Sequence, residues 1–169
     1  NIFLVTLPTL IWTLFPPLPK NRVNPSFFWR DTLFAVAPIA LVTGLTVFFT
    51  YWIMSVVYHE RPVHVATMTV LTATFFGVYM VFLVAKILGV TMNAMARRAR
   101  LFYLIAVTVV AIGSFGLGPL RDFFDFSLPT VWILWPAITL IALSATIQWQ
   151  MAKVASQKFK SQQKKNSAL

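Results

Sequence analysis

Long apolar runs alternate with short polar segments along most of this chain. Four runs approach or exceed the roughly 20 residues that a helix needs to cross a hydrocarbon layer about 30 Å thick: residues 33–58, 65–88, 101–117 and 129–151. A further apolar run, residues 2–15, would rise only about 21 Å as a helix and reads as the second half of a span whose beginning is absent. The pattern predicts an all-α, polytopic transmembrane helix bundle with four full spans plus a truncated first helix. The expected layout is a truncated membrane helix at 1–15, a cytoplasmic loop at 16–32, a four-helix transmembrane region at 33–152 and a basic cytoplasmic tail at 153–169.

Residues inside and beside the spans refine this picture. Pro8, Pro38 and Pro136 remove backbone donors within apolar runs, so kinks are expected there. Gly44, Gly77, Ala142 and Ala145 are small enough to permit close helix approach. Trp29, Tyr58, Tyr103, Trp132, Trp135 and Trp149 lie near the proposed span ends, where amphipathic rings favour the headgroup layer. The terminal stretch SQKFKSQQKKNSAL is expected to be helical only near the membrane and frayed beyond it.

Composition agrees with a membrane location. The chain is 59% hydrophobic and only 11% charged, with a mean hydropathy of +0.78, more apolar surface than one soluble core of this size can bury. A net charge of +10 raises the question of a nucleic-acid partner, but its distribution answers otherwise. Twelve of the 14 basic residues fall in alternate loops and the tail, while the intervening loops hold only Arg61 and Arg121, beside Glu60, Asp122 and Asp125. By the positive-inside rule the basic loops and the carboxyl terminus are cytoplasmic, in a multi-pass protein of the plasma membrane. The charge sets orientation first and attraction to anionic lipid second, and no nucleic acid is expected as a partner.

Candidate chemistry is sparse. The full spans contain no ionisable residue except Lys86, which can snorkel to the surface. In YHERPVH, His59, Glu60 and His64 offer two imidazoles and a carboxylate, yet a proline intervenes and no fourth metal ligand is evident; a solvated loop is the favoured reading. Arg121, Asp122 and Asp125 in LRDFFDFSLP read as a re-entry turn in preference to a paired-carboxylate site. Absence of cysteine excludes disulfides, thiolate metal sites and thiol nucleophiles. No phosphate-binding GxxxxGK[ST] loop, GxSxG elbow or HExxH helix is present. The chain on its own is not expected to be an enzyme or to hold a cofactor.

Three stretches together resemble the carboxy-terminal membrane region of a bacterial P-type, calcium-type cation-transporting ATPase. NIFLVTLPTLIWTLFPPLPKNRVNPSFFWRD resembles the end of that family's sixth membrane helix running through a cytoplasmic loop into the seventh; VATMTVLTATFFGVYMVFLVAKILG resembles the eighth; LRDFFDFSLPTVWILWPAITLIALSATIQWQMAKV resembles the last loop and tenth helix. The resemblance covers nearly the whole chain. It implies a support bundle that lacks the catalytic domains, in a parent pump that uses magnesium and ATP through an aspartyl phosphate. The implied partners are the lipid bilayer, the remaining helices and cytoplasmic domains of that pump, and the transported cation. The chain begins at Asn1, with neither an initiator Met nor a signal-peptide pattern, and is expected to be a fragment.

The resemblance also implies one metal-site candidate. Calcium pumps carry Asn-x-x-Thr-Asp-x-x-Pro in the sixth helix, and placing its proline on Pro8 puts its asparagine on Asn1 as an ion-pathway residue. The threonine and aspartate positions then fall on Leu4 and Val5, so those two ligands are not reproduced, and Thr6 lies in another register. The competing expectation is a fragment of a secondary transporter or a structural multi-pass membrane subunit. No internal repeat of the kind that secondary transporters show is visible among the spans.

Overall fold

The computed structural model describes residues 28–87, 97–98, 101–107, 109, 118–127 and 129–166. Every regular element among them is helical. In chain order they are α1 (Phe28–Trp52), a π-helical turn (Ile53–Val57), α2 (Pro62–Ile87), α3 (Gly118–Phe124) and α4 (Val131–Asn166), and residues 101–107 are also helical. Stretches such as VTGLTVFFTYW in α1 and VATMTVLTATFF in α2 are rich in β-branched and aromatic residues of modest helix propensity. Hydrocarbon overrides that preference, because a helix satisfies its own backbone donors and acceptors where no water can.

Three of these helical stretches are long and apolar enough to cross a membrane: Leu33–Val57, Pro62–Ile87 and Val131–Ser161. They correspond to three of the four full spans expected from hydropathy. Of the fourth, 101–117, residues 101–107 are helical, and residue 108 and residues 110–117 lie outside the described residues, as does the expected truncated helix at 1–15.

The helix ends follow from local chemistry. α1 widens into its π turn, where Tyr58 N–H donates to Ile53 O at 3.0 Å and Glu60 N–H donates to Met54 O at 3.0 Å. His59, at φ 50°, then turns the chain in the left-handed region. Pro62 opens α2 at the first helical position, where its missing N–H would have had no partner, and Val65 N–H closes that turn on Arg61 O at 3.1 Å. At the end of α3, Asp125 has φ 50° and Phe126 N–H returns to Arg121 O at 3.0 Å. That six-to-one bond is a Schellman stop, with a short polar side chain where glycine is usual.

α1, α2 and α4 each pack against the other two. Thr43 meets Gln148 and Thr46 meets Ser144, so α1 and α4 run antiparallel, while Thr67 bonding Ser127 and Tyr79 bonding Ala145 set α2 parallel to α4. The start of α1 and the ends of α2 and α4 therefore share one end of the bundle, which gathers Arg30, Lys86, Lys153 and Lys158; Glu60 and His64 lie at the other. Two apolar clusters form the core. At the basic end Ala35, Ile39, Leu83, Ile87, Ala152, Ala155 and Phe159 pack together; at the other end Met54, Val65, Met68 and Ala137 do so. Leu41, Phe48, Val70, Leu143 and Ile147 face outward, as side chains that meet lipid do.

Several expectations change on inspection. α4 does not fray past Met151 but continues to Asn166, because Ala152, Ala155 and Phe159 stay packed on α1 and α2, and Lys and Gln are good helix formers. Gly44 does not mark a close approach, since a β-carbon there would meet nothing within 4 Å, and Ala142 is exposed. Trp29, Tyr58, Trp132 and Trp135 are exposed as anchors should be, whereas Tyr103 is only 1% exposed and belongs to the interior. Lys86 is exposed and lies over the Trp149 ring, 5.1 Å from its centroid, so the two form a cation–π pair at the basic end.

Candidate functional site

The most connected polar cluster lies opposite the basic end, where the α1–α2 connection meets the segment leading into α4. Glu60 and His64 are four residues apart across the first turn of α2, and Glu60 Oε2 lies 2.5 Å from His64 Nδ1. An ionised carboxylate only accepts, so Nδ1 carries the proton. The other ring nitrogen, Nε2, lies 3.1 Å from Ser127 Oγ, and Ser127 N–H in turn donates to the buried Thr67 Oγ1 at 3.2 Å. One imidazole thus ties the start of α2 to the chain entering α4, across 63 residues of sequence. The His64 N–H holds the Glu60 carboxyl below its ordinary value of 4.5, against an opposing push from burial; the His64 charge, the Arg61 backbone N–H and the Arg61 charge add to the lowering.

A carboxylate, an imidazole and a hydroxyl in a line is the arrangement used to activate a serine nucleophile, so the remainder of such a site has to be sought. Acyl transfer needs donors aimed at a developing oxyanion. Here the Ser127 N–H is spent on Thr67, and Pro129 has no N–H. No oxyanion hole is formed among the described residues, and the line acts as a tie between elements. The arrangement does not fit a metal either. Both nitrogens of His64 are engaged, His59 joins no third ligand, and no group of three or more His, Cys, Asp or Glu forms among the described residues.

The other predicted residues fall as follows. Arg121 and Asp122 form an exposed pair at 3.4 Å, with side chains 55% and 73% exposed, and Asp125 is the left-handed residue that ends α3. These residues form a turn held by backbone geometry with a weak surface ion pair. Asn1 lies outside the described residues.

A second polar feature, absent from the sequence reading, runs through the middle of the bundle between the two apolar clusters. Thr46 and Ser144 hydroxyls are 2.6 Å apart, and Gln148 Nε2 donates to Thr43 Oγ1 at 3.0 Å. Thr43, Thr46 and Thr50 also donate to, or lie within bonding distance of, carbonyls one turn back, at Ile39, Val42 and Thr46. Gln148 is fully buried, and its Oε1 receives no hydrogen bond among the described residues. The buried polar groups described are Thr, Ser and Gln side chains and the Tyr103 phenol, with no buried carboxylate, imidazole, lysine or arginine among the described residues.

Ser127, Ser144 and Gln148 were missed because a single hydroxyl or amide in an apolar run carries no sign of which helix it faces. Glu60 and His64 were expected in a solvated loop, and their link to Ser127 carries no local signal. Compared with protein-family models, curated proteins and solved structures, the chain matches none significantly.

Proposed function

We propose that this chain is the carboxy-terminal membrane support bundle of a P-type cation-transporting ATPase, and that it buttresses ion-carrying helices located elsewhere in the pump. The observation that carries this reading is the neutral interior. Ionisable groups at the buried faces of membrane helices commonly mark ion pathways. Here the described buried positions are apolar residues, hydroxyls and one amide. Such an interior holds helices together without offering a charged path.

The resemblance of the three quoted stretches supplies the family, four full spans plus a half, and calcium as the favoured cargo. Clustering of Arg30, Lys86, Lys153 and Lys158 at one end supports a cytoplasmic placement of that end and of the carboxyl terminus, in the plasma membrane. In this reading magnesium and ATP chemistry belong to the parent pump, and no step is assigned to this chain.

The test is phosphorylation of the full-length parent protein by labelled ATP, with calcium, manganese or potassium present or omitted, followed by hydroxylamine. Ion-dependent label that hydroxylamine removes is expected. Absence of label under every ion condition, in correctly folded protein, overturns the pump reading in favour of a structural membrane subunit, which the same neutral interior would suit.

A further inference from the structure

Toward the basic end, α1 and α4 leave between them an open groove of about 440 Å³. Its walls are Phe34 and Pro38 from α1 and Ile147, Gln150, Met151 and Val154 from α4, almost entirely apolar in character. Along α4 the groove extends from Thr146 to Ala155, about 14 Å of helix. Ile147, Met151, Val154 and Lys158 recur every three or four residues and so form one stripe. At the end of that stripe Lys158 Nζ sits 3.3 Å from the centroid of the Phe34 ring. An apolar channel therefore terminates in a cation.

Asp31 lies one turn before Phe34 on α1, and the excess of positive charge comes from α4. α4 carries Lys153, Lys158, Lys160, Lys164 and Lys165 and no carboxylate. The ion pairs Glu60–His64 and Arg121–Asp122 both lie away from the lysines of α4. An occupant matched to this surface needs a hydrocarbon shaft of about 14 Å and a negative head beside the lysine. A free anion has no use for the apolar walls, and a neutral lipid leaves the lysines without a counter-charge.

We propose that the α1–α4 groove binds one anionic phospholipid, with an acyl chain against Phe34, Pro38, Ile147 and Met151 and its phosphate beside Lys158. This assignment rests on the membrane-crossing helices and the charge of α4, and stands or falls separately from the pump reading.

The experiment is native mass spectrometry of the full chain in detergent, presented with phosphatidylglycerol and phosphatidylcholine of identical acyl chains. The wild type is expected to retain phosphatidylglycerol about fivefold better, the size of effect one lysine near an anionic surface provides. Lys158→Gln should lower phosphatidylglycerol retention about fivefold and leave phosphatidylcholine unchanged. Val154→Trp, at an exposed position on the groove wall, should lower retention of both. Equal retention of the two lipids by the wild type overturns the proposal, as does unchanged phosphatidylglycerol binding in Lys158→Gln. Retention of neither lipid by folded, monodisperse wild type also overturns it and assigns the groove to another helix. Helicity by circular dichroism confirms the fold of each variant, and should Val154→Trp fail to fold, Lys158→Gln decides alone.

Discussion

The hydroxyls of Thr46 and Ser144 lie 2.6 Å apart across the α1–α4 interface, joined over 98 residues of sequence. Thr46 also lies 2.7 Å from Val42 O, so with Thr46 donating to that carbonyl and Ser144 donating to Thr46 Oγ1 both protons are used without water. A double-mutant cycle of Thr46→Val and Ser144→Ala should give a favourable coupling of about 0.6 kcal/mol, and no more than about 1.7, as found for hydrogen bonds between membrane helices. Unfolding in mixed micelles by titration with sodium dodecyl sulfate measures it. A coupling indistinguishable from zero would show that the pair contributes position but no stability.

Gln148 predicts the opposite sign. Its Nε2 is used on Thr43, but no described group donates to its buried Oε1. An unmatched buried acceptor costs about 1–3 kcal/mol, while Thr43 retains its own bond to Ile39 O after the amide is removed. Gln148→Leu is therefore expected to be neutral or stabilising by up to about 2 kcal/mol in the same unfolding assay. A loss of more than about 1 kcal/mol would mean that the amide is fully matched in the folded protein.

Glu60 makes stability depend on pH. Its carboxyl is held below the ordinary value of 4.5, chiefly by the His64 N–H. A depressed carboxyl binds protons more weakly in the folded state than in the unfolded one. Its contribution is fully present above 4.5 and disappears as pH falls through the folded value, which lies lower. Melting in detergent between about pH 6 and pH 3 should show the wild type losing more stability than Glu60→Gln, since the glutamine has nothing to protonate. Parallel pH profiles for the two proteins would exclude Glu60 as a source of the dependence.

Core and lipid-facing leucines should separate cleanly. Leu83 is 0% exposed in the cluster at the basic end, whereas Leu143 is 59% exposed on the outer face of α4. Leu83→Ala should cost about 2–5 kcal/mol through lost packing, and Leu143→Ala no more than about 0.5, because lipid chains fill the space it leaves. Similar costs at both sites, read from the same micelle titration, would indicate that the outer face of α4 is covered by protein.

How much of this could be read from the sequence depended on the range of the interaction. Hydropathy located the three described spans closely, since burial in hydrocarbon acts on each helix by itself. α2 opens at Pro62, three residues before the expected span at 65, because hydropathy does not register the helix-starting role of a proline. The π turn after Trp52 and the left-handed His59 and Asp125 carry no glycine to announce them. The extension of α4 escaped notice because Lys153 ends the hydropathy signal, while contacts of Ala155 and Phe159 with α1 and α2 keep the helix packed. The tie from His64 to Ser127 and the seam at Thr46 depend on which helix faces which, and no periodicity reports that. Glu60 and His64 were read with His59 as a solvated loop, whereas His64 lies in the first turn of α2 and the two side chains are only 13% and 19% exposed, because their contact with Ser127 comes from a distant segment.

With 36 residues, α4 is about 54 Å long, well beyond the roughly 30 Å of a hydrocarbon layer. A helix anchored near one membrane face and projecting past the other is a lever. A tilt of about 10° at the Trp132 end would sweep the Lys164 end sideways by about 8 Å, taking the helix length from its rise per residue. Small rearrangements among packed side chains inside the bilayer would thus arrive outside it as a displacement large enough for another protein domain to feel.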